Sequence, residues 1–273
     1  MKAMTIKEIH DVALKIMKEI HEFCMANNIQ YSLAYGSMIG AVRHKGFIPW
    51  DDDIDIWMTR PNFEKFTRTF VSKSGYRHSS MYDKDSLICF DRVYEIKETM
   101  LITSHKACGG DIGVFVDVFP LDGVPEEEER RNKQYNAFTN KITCLITARW
   151  LVGYIERKHG WRKLYGICRL LYNDIKWGEY RQAHKKMIEI AKAEDVEKSS
   201  YCCYFQCGDA YRKNQQELLP TAYFRKFIFT EFEDAEFMIC EDYDKILKII
   251  YGDYMKLPPE EERYRYHGSC YWK

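Results

Sequence analysis

The stretch Gly36-Ser37-Met38-Ile39-Gly40-Ala41-Val42-Arg43-His44-Lys45-Gly46-Phe47-Ile48-Pro49-Trp50-Asp51-Asp52-Asp53-Ile54-Asp55-Ile56 decides the fold. Residues 51–59, DDDIDIWMT, alternate charged and apolar side chains, which predicts a half-buried strand. Residues two apart on a strand share a face, so Asp51, Asp53 and Asp55 line one side while Asp52, Ile54 and Ile56 take the other. Carboxylates crowded on one face repel, and burial raises their pKa values further. A divalent cation relieves that repulsion. A calcium loop of the EF-hand type fails by count: Ile56 falls where glycine is required, and Asn62 where a bidentate Glu is required. The plain alternative is a solvated acidic edge strand that discourages pairing.

Upstream, residues 31–36 read as a short strand and 37–46 as a short helix, with Ser37 as N-cap and Gly46 as the stop. A Gly-Ser pair at such a junction presents backbone N–H groups suited to a phosphate. Pro49 keeps residues 47–50 extended. Downstream, Pro61 opens a helix with Phe63, Phe66, Thr67 and Phe70 on one side, and residues 88–96 and 113–121 are further strand candidates. Asp117 is a solitary acid within Val114-Phe115-Val116-Asp117-Val118-Phe119. A buried, unpaired carboxylate is costly, so either a cationic partner or a functional role is expected there.

At the N-terminus, Ile6, Ile9, Val12, Ala13, Ile16, Ile20 and Phe23 recur at helical spacing, and Thr5 with Glu8 has the form of a capping box. From 126 to about 195 the chain is dense in Lys, Arg, Glu and Tyr with helical spacing, and 200–273 is mixed. The organisation expected is a core over 1–125, a helical region over 126–200 and a C-terminal mixed segment over 201–273 that completes the domain.

With 273 residues the chain is long enough to bury a core without disulfides or a structural metal. Its 41 Lys+Arg balance 41 Asp+Glu, which argues against a general nucleic-acid or membrane-surface binder. Ten cysteines include no C-x-x-C pair, and the cluster Cys202, Cys203 and Cys207 matches no common zinc spacing; reduced, space-filling thiols are expected. The first residues lack the apolar run and cleavage site of a signal peptide, and the most apolar stretch, Ile142 to Val152, is interrupted by Arg149. The expectation is a cytoplasmic protein without a transmembrane segment, peripheral contact at the inner face of the membrane being left open.

The order Gly-Ser, then apolar-Asp-apolar-Asp-apolar, then a third acid between apolar residues resembles the nucleotidyltransferase fold. The whole block 36–56 resembles the defining block of the LicD family, which contains bacterial phosphocholine transferases and has the fukutin-related ribitol-phosphate transferases as relatives. Val116-Asp117-Val118-Phe119-Pro120-Leu121-Asp122-Gly123 agrees with it, as does Tyr251-Gly252-Asp253-Tyr254-Met255 followed by Pro258-Pro259. The resemblance implies an α+β fold, a nucleotidyltransferase-like mixed sheet with flanking helices and a helical C-terminal half. It implies transfer of a phospho-alcohol group, phosphocholine foremost, from CDP-choline or another CDP-alcohol to a hydroxyl of a cell-surface glycan or lipid-linked glycan precursor, such as lipopolysaccharide or teichoic acid. CMP would be released, and no nucleic acid would be involved. By position, Asp53, Asp55 and Asp117 become metal ligands and catalytic carboxylates for Mg2+, two ions in number, with Mn2+ as a substitute. Gly36 and Ser37 would meet the donor phosphate, with Arg43, His44 and Lys45 beside the diphosphate. The alternative for the last three is the solvated basic end of a short helix.

Trp57 and Cys240 depart from the family pattern, and Trp57 reads as core on the carboxylate face. A choline ammonium calls for an aromatic cage, but 20 Tyr, 15 Phe and 6 Trp single out no residue. Two rival functions stay open: transfer of a nucleotidyl group from an NTP to a small hydroxylated acceptor, and non-catalytic binding of a glycan or nucleotide.

Overall fold

The computed structural model describes the chain outside residues 84–85, 87, 103–111, 158, 178–179, 206–216 and 264–267. Strand β1 (Lys2–Ala3) leads into helix α1 (Ile6–Ala26). Its capping box is formed: Glu8 N–H donates to Thr5 Oγ1 at 3.3 Å, and Thr5 N–H donates to Glu8 Oε2 at 2.7 Å. Ile9, Val12, Ala13, Ile16 and Ile20 are buried along one side, as the spacing requires.

Strand β2 (Ser32–Leu33) is followed by helix α2 (Tyr35–Ile39), which continues as a π-helical turn over Gly40–His44. The helix therefore starts two residues before the expected Ser37, behind Ala34, and ends at Lys45 in the left-handed region rather than at Gly46. Ser37 is not an N-cap because its side chain serves the neighbouring strand instead. That strand, β3 (Ile54–Thr59), begins three residues later than the alternation suggested, leaving Asp51–Asp53 in the irregular segment between the turn at Pro49–Trp50 and the strand. Helix α3 (Arg60–Thr69) opens with Pro61 in its first turn and buries Phe63 and Phe66.

Strands β4 (Arg77–Ser79), β5 (Asp91–Tyr94) and β6 (Thr99–Ile102) precede β7 (Phe115–Val124), a strand buried along its whole length. The central sheet runs β2-β3-β7-β5-β4; β3 and β7 are parallel and the other pairs on this path antiparallel. Helices α4 (Glu128–Arg157), α5 (Trp161–Trp177) and α6 (Tyr180–Ala191) fill the region expected to be helical.

The C-terminal segment is mixed. Strand β8 (Tyr201–Cys203) extends the central sheet by pairing with the end of β7, Asp122 opposite Cys203, and β9 (Leu219–Pro220) pairs with β8. Strands β10 (Phe227–Phe232) and β11 (Ala235–Cys240) form a hairpin, and helix α7 (Tyr243–Tyr251) follows. Strand β12 (Ser269–Trp272) lies between β1 and β6. Cys202 and Cys203 are buried, and Cys207 lies outside the described residues.

Parity along β3 and β7 separates two faces. Ile54, Ile56, Val116, Val118 and Asp122 face α3, because Asp122 is gripped by Arg60 at the head of that helix. Asp55, Trp57, Asp117 and Phe119 occupy the opposite face. There Trp57 packs edge-on to Tyr35 and Phe224, and Phe119 lies against Tyr204, with ring centroids at 4.7, 6.0 and 4.7 Å. Trp57 is core, as its position in the strand suggested.

Candidate active site

The parallel pairing of β3 with β7 places Asp55 directly opposite Asp117. Neighbouring strands lie about 4.8 Å apart and in-register side chains point to one face, so the two carboxylates are brought together by register alone. Just ahead of β3, Asp51, Asp52 and Asp53 each offer an oxygen, all lying within 4.8 Å of one another. Asp52 and Asp53 are buried. Burial, reinforced by the Asp53, Asp117 and Asp51 carboxylates in that order, pushes the Asp55 carboxyl well above its ordinary range; Arg92 works against the shift. A crowd of oxygen donors of like charge, all hard ligands, fits a divalent cation such as Mg2+.

The backbone around this face is tightly held. Ala34 N–H donates to Asp55 O at 2.8 Å, and Asp55 N–H donates to Ser37 Oγ at 2.9 Å, so both backbone groups of Asp55 are fixed by the β2–α2 junction. Gly36 is there for space: a Cβ on it would collide with the Asp51 carboxylate. Next to it Tyr35 adopts φ 45°, a left-handed conformation that costs a bulky residue about 1–3 kcal/mol. Its ring rests on Trp57 and its hydroxyl donates to Glu217 at 3.2 Å, which holds the turn in that shape. On the other side of the turn, His10 Nε2 is 2.7 Å from Asp51 O. A carbonyl only accepts, so this nitrogen carries the proton; burial lowers the His10 pKa and keeps the ring neutral.

Asp117 has the cationic partner its apolar strand demanded. Arg92, opposite it across the antiparallel β5–β7 pair, donates from Nε to Oδ1 at 2.5 Å and from Nη2 to Oδ2 at 2.6 Å. The guanidinium also lies 3.8 Å from the Phe115 ring centre. Both side chains are nearly withdrawn from water, at 11% and 7% exposure. Arg92 was not singled out from the sequence, although Phe90-Asp91-Arg92-Val93 carries the signal that exposed Asp117, a charge set within an apolar strand. Asp91 pairs with His78 at 2.7 Å in the same way.

The three cations of the expected phosphate site divide. Arg43 Nη1 donates to the carbonyl of Tyr254 at 2.6 Å and lies 3.4 Å from that of Lys256, while its Nε donates to His44 Nε2 at 2.9 Å. His44 is edge-on to Trp50, and its pKa is lowered by burial and by Arg43. Arg43 joins the glycine-rich block to the Tyr251–Met255 segment, and the β3–β7 pairing joins it to residues 116–121, so all three sequence blocks meet in space. Lys45 is exposed, and its carbonyl accepts from Glu233 N–H at 2.7 Å. Ser37, Asp53 and Asp117 surround Asp55 at the start of β3, and Gly36 lies against the neighbouring Asp51.

Acids just ahead of a strand, a carboxylate on its parallel neighbour and a Gly-Ser junction beside them together form an acidic face on a mixed sheet. Residues 28–141 match the family model described as LicD/FKTN/FKRP, nucleotidyltransferase domain. Over 98% of its length the chain is 29% identical to the lipopolysaccharide cholinephosphotransferase LicD of Haemophilus influenzae, of which 97% is covered. The family-model match over residues 28–141 and the full-length likeness to one relative thus point to the same family. An uncharacterised protein of Rickettsia typhi is 33% identical over 44% of this chain and 38% of its own length. One from Rickettsia prowazekii is 52% identical over 23% and 27%.

Proposed function

We propose that the protein transfers a phospho-alcohol group, phosphocholine foremost, from a CDP-linked donor to a hydroxyl of a cell-surface glycan precursor, with Mg2+ bound at the carboxylate face. The single observation that carries this reading is the in-register pairing of Asp55 with Asp117 just beyond the Asp51–Asp53 acids. The likeness to a lipopolysaccharide cholinephosphotransferase over nearly the whole chain supports phosphocholine as the group and a lipid-linked glycan as the acceptor.

In the transfer, the acceptor oxygen forms a bond to the phosphorus that bears the alcohol. The bond from that phosphorus to the oxygen bridging it to CMP breaks, CMP leaves with the electron pair, and the acceptor proton passes to a carboxylate. Asp53 and Asp55 are the proposed metal ligands, and Asp117 is the third ligand or the base for the hydroxyl. When bound, divalent metal supplies charge neutralisation for the diphosphate and acidifies the attacking hydroxyl. Gly36 leaves the backbone open to a donor phosphate, and Ser37, whose Oγ accepts from Asp55, has its hydroxyl proton to offer. Lys45 is the exposed cation of the set, with Arg43 and His44 shaping the wall behind it. Residues 1–125 and 201–273 are proposed to form the catalytic unit, and 126–200 a helical insertion. The placement proposed is the cytoplasmic side of a membrane carrying the acceptor; no described helix is long and apolar enough to cross a membrane.

The test is a panel of CDP-choline, CDP-ribitol and CDP-glycerol with Mg2+ and a glycan acceptor, scored for CMP. Release of CMP from CDP-choline, lost on removing Mg2+ with EDTA, is expected. Release of pyrophosphate from an NTP, with every CDP-alcohol inert, would replace this reading with nucleotidyl transfer.

A further inference from the structure

Helix α5 carries an apolar side that no described part of the fold covers. Trp161 is 72% exposed, and Leu164, Tyr165, Leu171 and Tyr172 are each exposed by half or more. Steps of three, four and seven residues put these five on one side of the helix. Among the described side chains of α5, only Gly166 is buried. The charge along the helix is predominantly basic, with Arg162, Lys163, Arg169 and Lys176 against the single acid Asp174. Residues 157–173 contain Arg157, Lys158, Arg162, Lys163 and Arg169 and no Asp or Glu, in a chain whose formal charge is zero. Two of these cations are interleaved with the aromatic rings: Arg162 stands 5.4 Å from the Trp161 ring centre, and Arg169 donates to Tyr165 Oη at 2.9 Å.

We propose that α5 docks the protein on an anionic lipid bilayer, with Trp161, Leu164, Tyr165, Leu171 and Tyr172 in the boundary between headgroups and acyl chains and Arg162, Lys163 and Arg169 at the headgroups. Trp and Tyr favour that depth because one end of each ring is apolar and the other hydrogen-bonds. Flanking Lys and Arg complement anionic headgroups. A second copy of the chain is disfavoured as the occupant, since pairing this face with itself sets two five-charge basic stretches against each other. A polar phosphate backbone such as a nucleic acid would leave the apolar side wet. The docking surface extends the proposed lipid-linked acceptor and rests on that reading only for its biological purpose; lipid binding and transfer are read in separate assays, so either can fail alone.

The experiment is flotation of the full chain with vesicles of phosphatidylglycerol in phosphatidylcholine, against phosphatidylcholine alone. Flotation with the anionic vesicles, weakened by salt, is expected. Each basic residue near an anionic surface strengthens partitioning about fivefold, so the combined Arg162→Gln, Lys163→Gln and Arg169→Gln variant should lose about a hundredfold. Leu164→Asp with Leu171→Asp should abolish flotation, with unchanged circular dichroism and unchanged CMP release on a water-soluble acceptor. Absence of flotation, equal binding to both vesicles, or wild-type flotation of the glutamine variant would overturn the proposal. So would a concentration-dependent dimer that Leu164→Asp dissolves, which would make the face a protein interface.

Discussion

Replacing Arg92 with Met leaves a side chain long enough to lie on Phe115 but removes the fork that holds Asp117. Both partners are almost fully desolvated. Deleting one member of such a pair leaves a buried charge uncompensated, at a cost of about 3–5 kcal/mol, whereas an exposed pair would cost about 1 kcal/mol or less. Asp117 also faces Asp55 across the parallel pairing, so the loss of Arg92 from the other side of Asp117 removes the guanidinium that offsets these two adjacent acids. Taking about 3 kcal/mol, Tm should fall by about 6–12 °C for a chain near this size. Urea melts of wild type, Arg92→Met, Asp117→Asn and the double variant measure the coupling directly. The double variant should be more stable than the sum of the singles predicts, by about 1–3 kcal/mol. Mg2+ should recover part of the Arg92→Met loss, because a bound cation restores charge balance on the same face. A cost under about 1 kcal/mol, or strict additivity, would refute the reasoning.

Gly36→Ala forces a methyl against the Asp51 carboxylate and should cost about 1–3 kcal/mol and weaken Mg2+ binding measured by calorimetry. Asp122→Asn disrupts the buried pair with Arg60 on the opposite face of the sheet; it should lower Tm while leaving Mg2+ affinity unchanged. His10, His21 and His184 all have pKa values lowered by burial. At these three sites the unfolded chain takes up protons below about pH 6.5 that the native state resists, so in an Asp55→Asn background, where the raised Asp55 carboxyl no longer acts in the opposite sense, stability should fall as pH drops through that value. Thermal melts across this range in EDTA check the sign.

The strongest local signals survived folding. The α1 capping box, Pro61 at the head of α3 and the apolar length of β7 are each set by residues within one turn or one strand, and the structure follows them. Where the sequence misled, a partner distant along the chain intervened. Ser37 looks like a helix cap, yet its hydroxyl accepts from Asp55 N–H, so the helix begins at Tyr35 in a conformation that no propensity favours. Asp51 looks like the first residue of a strand, but a turn closed by its N–H on Ile48 O at 2.9 Å delays β3 to Ile54. The acids were legible because their alternation with isoleucine is unusual. Arg92 was not, and neither was the contact of Arg43 with residues 254–256, because register with β7 and the approach of a distant segment are encoded in no local pattern.

The central claim is that one carboxylate face, assembled from Asp53, Asp55 and Asp117, binds divalent metal for the transfer. The most direct measurement is the electron paramagnetic resonance of Mn2+ titrated into wild type and into Asp53→Asn, Asp55→Asn and Asp117→Asn, alongside CMP release from CDP-choline. The wild type should bind Mn2+ tightly, and the three variants should lose binding and turnover in parallel. Variants that hold Mn2+ as the wild type does and still release CMP would contradict it.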